Sequence, residues 1–169
     1  MSGACYPHTN IIGLVYMTTI NSQLVLVGGV AESGERTNLL GVWNEEFQKW
    51  THPFPPMNKA CSGPAVVTYN NRWMVVAGGY YGSGGLESVE ILDAAAGKWF
   101  HGASMPLSHK QYKLSTTVIG NLWYAYLIDG FGYTERVLCA SLDDLITTAS
   151  LSVVTPTQSL WRLLPVIFR

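Results

Sequence analysis

Apolar runs that end in paired glycines recur along the chain. Leu24-Val25-Leu26-Val27 leads into Gly28-Gly29, and Met74-Val75-Val76-Ala77 leads into Gly78-Gly79. A tryptophan comes after each pair, Trp50 and then Trp99. Gly28 to Gly78 spans 50 residues and Trp50 to Trp99 spans 49. A self-similar period of this length marks a solenoid, a propeller or an array, and it outranks local motifs. A third, altered copy is also present. Asn21, Asn71 and Asn121 stand 50 residues apart, each before an apolar run, and the third run, Leu122–Ile128, ends in Asp129-Gly130. Trp161 is the tryptophan of this copy, delayed by a polar insertion from Thr147 to Ser159.

Each copy reads as four strands. Strand a covers Gly13–Thr19, Ala65–Tyr69 and Ser115–Ile119; strand b ends at the glycine pair; strand c covers Leu39–Trp43, Ser88–Leu92 and Arg136–Leu142; strand d carries the tryptophan. Strands a and b are near-continuous apolar runs, the pattern of strands buried on both faces. Asn70-Asn71 and Gly120-Asn121 supply residues that tolerate positive φ in the a–b hairpins, and Ala96-Gly97 or Asn44-Glu45-Glu46 turn c into d. Glycine twice at the end of strand b implies a crowded exit where a Cβ would meet a neighbour. No segment reads as a full helix; Asp143-Asp144-Leu145-Ile146 supports one helical turn at most.

The order apolar strand, Gly-Gly, second strand, Trp and a Met/Pro segment resembles the Kelch repeat. Pro55-Pro56-Met57 and Met105-Pro106 supply the last part. WD40 repeats fit less well, because their period is shorter and no Gly-His…Trp-Asp signature occurs. The resemblance implies an all-β fold, a Kelch-type β-propeller segment with about three four-stranded antiparallel blades in an incomplete ring. Residues 1–169 then form one Kelch-repeat region with blades near 9–57, 60–106 and 111–165. Its repeat-defining residues are Gly28, Gly29, Trp50, Gly78, Gly79, Trp99, Gly130 and Trp161. Three blades fall short of the about four to eight that close a ring. The chain is therefore expected to be a fragment of a longer Kelch protein, half of an oligomeric ring, or an open arc whose blade edges self-associate.

Charged residues make up only 12% of the chain, against roughly 25% in an average domain. Ten basic and eleven acidic residues lie scattered, so no basic stripe supports nucleic-acid binding. Met1–Pro7 lacks the charged start of a signal peptide, and no apolar run reaches the roughly 18–20 residues of a membrane helix. Three separated cysteines, Cys5, Cys61 and Cys139, fit reduced thiols and a cytoplasmic setting.

Candidate chemistry changes this picture little. Gly78–Gly85 is glycine-rich, but Leu86-Glu87-Ser88-Val89-Glu90 comes next, acidic and strand-like rather than a helix start with a lysine. His8, His52, His101 and His109 lack metal-ligand spacing. Glu45-Glu46 and Asp143-Asp144 read as solvated turns, and no Gly-x-Ser-x-Gly elbow occurs. A copper radical oxidase is built on a Kelch-like propeller, yet its Cys–Tyr crosslink and ligands match no positions here. Neither catalytic residues, a metal nor a cofactor is assigned; a Kelch-like enzyme or metal-binding propeller is the rival reading.

The resemblance implies instead a protein–protein interaction module, such as a cytoskeletal binder or the substrate-capturing part of a ubiquitin-ligase adaptor. In Kelch propellers the residues after the glycine pair and those entering strand a line one face. The matching positions include Glu32, Tyr80, Tyr81, Ser83, Phe131 and Tyr133, with His109, Lys110 and Tyr112 from the second set. Loop tyrosines offer contact area with a polar tip and are enriched at binding hot spots. The expected partner is a protein or peptide, neither a nucleic acid nor a membrane.

Overall fold

The computed structural model describes residues 11–82, 84–106, 111–129, 135–151 and 160–165. The first repeat holds β1 (Ile11–Gly13), β2 (Tyr16–Ile20), β3 (Gln23–Val27), β4 (Val30–Ala31), β5 (Leu40–Asn44) and β6 (Lys49–Thr51). The second holds β7 (Ala65–Tyr69), β8 (Trp73–Ala77), β9 (Tyr80–Tyr81), β10 (Gly84–Gly85), β11 (Val89–Asp93) and β12 (Lys98–Gly102). The third holds β13 (Gln111–Ile119), β14 (Leu122–Asp129), β15 (Glu135–Ser141), α1 (Leu142–Leu151) and β16 (Trp161–Leu164). Three four-stranded antiparallel meanders result, β2-β3-β5-β6, β7-β8-β11-β12 and β13-β14-β15-β16. The fold is all-β, built from four-stranded antiparallel sheets as the resemblance implies. The short pairs β1–β4 and β9–β10 stand apart from the meanders.

The sheets stack face to face. One core lies between the first and second sheets, with Val25, Val27, Leu40 and Val42 against Val66, Met74, Val76 and Leu92. A second core lies between the second and third, with Val67, Val75 and Ile91 against Trp123, Ala125, Leu138 and Trp161. The second sheet is thus covered on both faces, which is why its strands read as unbroken apolar runs. The innermost strands meet through Thr116, whose Oγ1 donates to the Val66 carbonyl (3.3 Å) and lies 3.4 Å from the Tyr16 hydroxyl.

Turn chemistry sets the a–b hairpins. Asn21 and Ser22 both have positive φ, as do Asn70 and Asn71. The second hairpin is one residue longer, because Tyr69 pairs with Trp73 while Ile20 pairs with Gln23 and Ile119 with Leu122. Asn71 also ties two sheets together, its Oδ1 accepting the Asn21 N–H at 2.6 Å.

The structure corrects two expectations. Strand a of the first copy begins at Tyr16, not Gly13, because Gly13 belongs to β1 and pairs with Val30. The segment expected to give one helical turn is the ten-residue helix α1, so Asp143 and Asp144 lie in its first turn and the insertion begins as helix. Ser141 caps it, its Oγ accepting the Asp144 N–H at 3.2 Å. Leu142, Leu145, Ile146 and Ala149 form its buried stripe against the second core. The strands after Asn71 and Asn121 turn opposite faces at equal spacing. Trp73 and Val75 face the third sheet, whereas Trp123 and Ala125, 50 residues on, face back toward the second. A shift of one residue exchanges the two faces of a strand.

Candidate functional site

The glycine pairs surround the connector that enters the second sheet. Gly28, Gly29, Gly78 and Gly79 all have positive φ, from 62° to 112°. A Cβ on Gly28 would lie 2.5 Å from the Cys61 carbonyl oxygen, and one on Gly79 3.0 Å from that of Ser62. The Gly29 N–H donates to the Cys61 carbonyl at 2.8 Å. Backbone 61–64 therefore passes between the two pairs, and this crowding excludes side chains there.

Below the connector the buried carboxylate of Glu90 accepts the Asn58 and Lys59 N–H groups (2.7 and 2.9 Å) and the Asn58 side-chain amide (2.7 Å). Burial, and secondarily the Glu90 charge, push the Cys61 thiol up to about 12. Both cysteines among the described residues, Cys61 and Cys139, are buried thiols. The cavity against Cys61 and Glu90 holds about 10 Å³, space for one water and no larger ligand.

At the glycine end the short hairpins form a loop layer. Ser62 and Tyr80 exchange backbone hydrogen bonds (3.1 and 2.9 Å), and the Gly63 N–H donates to the Leu14 carbonyl at 2.6 Å. These bonds bring Leu14-Val15, at the entry of β2, beside Tyr80-Tyr81. Leu14 has φ 52° and is 66% exposed; Tyr81 is 57% exposed. Tyr80 is half-buried, and the Arg36 guanidinium lies 5.1 Å from its ring centroid. Glu32 is exposed in the β4 turn of the same layer. Tyr112 lies on β13. Ser83, His109, Lys110, Gly130, Phe131 and Tyr133 lie outside the described residues.

The repeat pattern does not single out Leu14, Val15 and Arg36. Leu14 falls inside an apparent apolar strand, although the preceding Gly13 signals a break. Arg36 is seven residues past its glycine pair, and only the Val30–Arg36 bridge folds it back.

The repeat tryptophans sit on strand d. Trp99 is half-buried, and its indole N–H donates to the Pro55 carbonyl at 2.8 Å. Trp161 is buried against Trp123, ring centroids 5.3 Å apart, and donates to the Ala103 carbonyl at 2.9 Å. In both cases the acceptor lies in the segment that leaves the preceding sheet. Trp50 packs edge-on against Trp43, centroids 5.3 Å apart.

His52 Nδ1 meets the Leu40 carbonyl at 2.7 Å, and His101 is exposed. Among the described residues no three His, Cys, Asp or Glu side chains cluster as metal ligands. Likewise no helix among them is long and apolar enough to cross a membrane.

Residues 60–106, which span the second sheet from its entering connector to the segment after β12, match the family model of the Kelch motif. No curated protein matches the chain.

Proposed function

We propose that this chain, with a Kelch motif across its second sheet, is a non-enzymatic interaction module that offers the loop layer at its glycine end to a protein partner. One observation carries the reading. Two apolar side chains, Leu14 and Tyr81, stand more than half exposed on segments that the connector 61–64 pins together. A non-glycine residue held at positive φ with its side chain in solvent costs conformational energy and packs nothing within the fold. Beside it Tyr81 adds a rigid ring, and Arg36 and Glu32 add charge of both signs around an apolar centre. That combination, an apolar centre with a polar rim, is the anatomy of a protein-binding surface.

The double variant Leu14→Ser/Tyr81→Ala is expected to lose captured partners while its circular dichroism and melting midpoint stay unchanged. Capture of every wild-type partner by the folded double variant refutes the assignment.

A further inference from the structure

The junction between the first and second sheets and the junction between the second and third share a plan but differ at one pair of positions. In each, a methionine N–H of the departing segment donates to a carbonyl two residues before strand c of the sheet it leaves. Met57 donates to Asn38 at 2.8 Å, and Met105 to Glu87 at 2.9 Å. The next residue is Asn58 at the first junction and Pro106 at the second. Strand c of the sheet ahead can be aligned through the repeat tryptophans, since Leu92 pairs with Trp99 and Ala140 with Trp161. Two positions earlier stand Glu90 in the second sheet and Leu138 in the third. Asn58 with Glu90 thus becomes Pro106 with Leu138. Proline has no N–H to donate and leucine no oxygen to accept, so donor and acceptor disappear together.

Leu138 is fully buried in the second core, which shows that packing alone does not require a carboxylate at this position. Glu90 is also buried, and among the described residues no Lys or Arg pairs with it. Such a group is costly inside a protein unless hydrogen bonds meet it. The three donors of Asn58 and Lys59 do so. Bonds from N–H groups to a carboxylate are among the stronger ones. Two of these three hold main chain, just before the connector passes between the glycine pairs. From there the Cys61 N–H reaches the Thr37 carbonyl at 3.2 Å, Ser62 bonds with Tyr80, and the Gly63 N–H holds Leu14. The carboxylate therefore stands at the junction whose connector pins the loop layer.

We infer that Glu90 is the positioning residue of that layer. Buried beneath it, Glu90 meets no partner itself. It fixes the path of residues 58–59, and through the connector it sets Leu14 beside Tyr81. The value of this placement for binding rests on the interaction surface proposed above; the placement itself does not.

Glu90→Leu imports the choice made in the third sheet. The Gly29, Cys61 and Gly63 amides are bonded along the connector and not to Glu90. In this variant they are expected to exchange about tenfold faster by NMR, while the amides of β8 and β14 keep their wild-type rates. Glu90→Gln retains one acceptor oxygen in the same shape. It is expected to give a smaller rise at the same three amides, and it supplies the reading should the leucine variant fail to fold. Unchanged exchange at these amides in a folded variant overturns the inference. So does a rise shared equally by β8 and β14, which marks a residue that stabilises the whole fold and positions nothing. A loosened connector with undiminished capture of wild-type partners supports the positioning role and counts against the loop layer as the interface, so the two claims fail separately.

Discussion

Glycines that look alike in the sequence do different work. Gly28 and Gly97 share nearly the same backbone angle, φ 62° and 61°, but a Cβ on Gly97 meets nothing within 4 Å whereas one on Gly28 strikes a backbone oxygen. Conformational strain is common to both positions, and the clash belongs to one. Gly97→Ala is expected to cost about 1–2 kcal/mol, and Gly28→Ala roughly 3 kcal/mol or more, since backbone must move. Urea unfolding of the two variants reads the difference directly; equal losses contradict the connector's role. The tryptophans divide in the same way. Trp161 is 4% exposed, so truncation to Ala is expected to cost about 3–5 kcal/mol. For Trp99, which keeps part of its ring in water, about 2–3 kcal/mol is expected. Thermal or urea melts that rank Trp99→Ala above Trp161→Ala contradict this assignment of burial.

At the scale of the element, each strand c ends in a polar side chain that sets the next turn or helix. Asn44 Oδ1 accepts the Phe47 N–H at 2.9 Å. Asp93 Oδ1 accepts the Ala95 and Ala96 N–H groups, and its carboxylate also takes a two-pronged bond from Arg72 (2.9 and 2.6 Å). In the third copy β15 runs on to Ser141, which caps α1 instead of turning into strand d. The Arg72 bond, aided by the two backbone donors against the opposing effect of burial, holds the Asp93 carboxyl below its ordinary 3.8. A group whose folded value is depressed contributes stability that is present above the unfolded value and lost as pH falls through the folded one. Stability is therefore expected to drop with acid below 3.8, and Asp93→Asn is expected to flatten that part of the profile while lowering stability near neutrality by about 1–3 kcal/mol. Urea midpoints measured across the acid range decide it; a wild-type and variant difference independent of pH contradicts the bond's role.

At the scale of the whole molecule, the second sheet is the most protected. It is covered on both faces, and the second core also draws in α1 and Trp161. The amides of β8 and β11 are expected to exchange slowest, near the rate of global unfolding, with β6 and the β9–β10 pair orders of magnitude faster. Hydrogen-exchange mass spectrometry tests this ranking; uniform protection across the three sheets contradicts it. The loop layer thus emerges from the most protected sheet, while its own β9–β10 hairpin is expected to open readily.

Much of this fold is legible in the sequence because it depends on local chemistry. Apolar runs set strands b and c to within a residue or two, paired glycines set their crowded exits, and asparagines set the hairpins. Helix α1 is also legible in principle, in Ser141-x-x-Asp144 before Leu145-Ile146, but its apolar stripe is short and its last half carries two threonines. Two features rest on tertiary structure. The face to which each strand of the third copy turns depends on a hairpin one residue longer in copy two, and a period counted between asparagines cannot register that flip. The meeting of Leu14, Gly63, Tyr80 and Arg36 depends on hydrogen bonds between segments distant in the chain, for which no pattern along the sequence provides a signal.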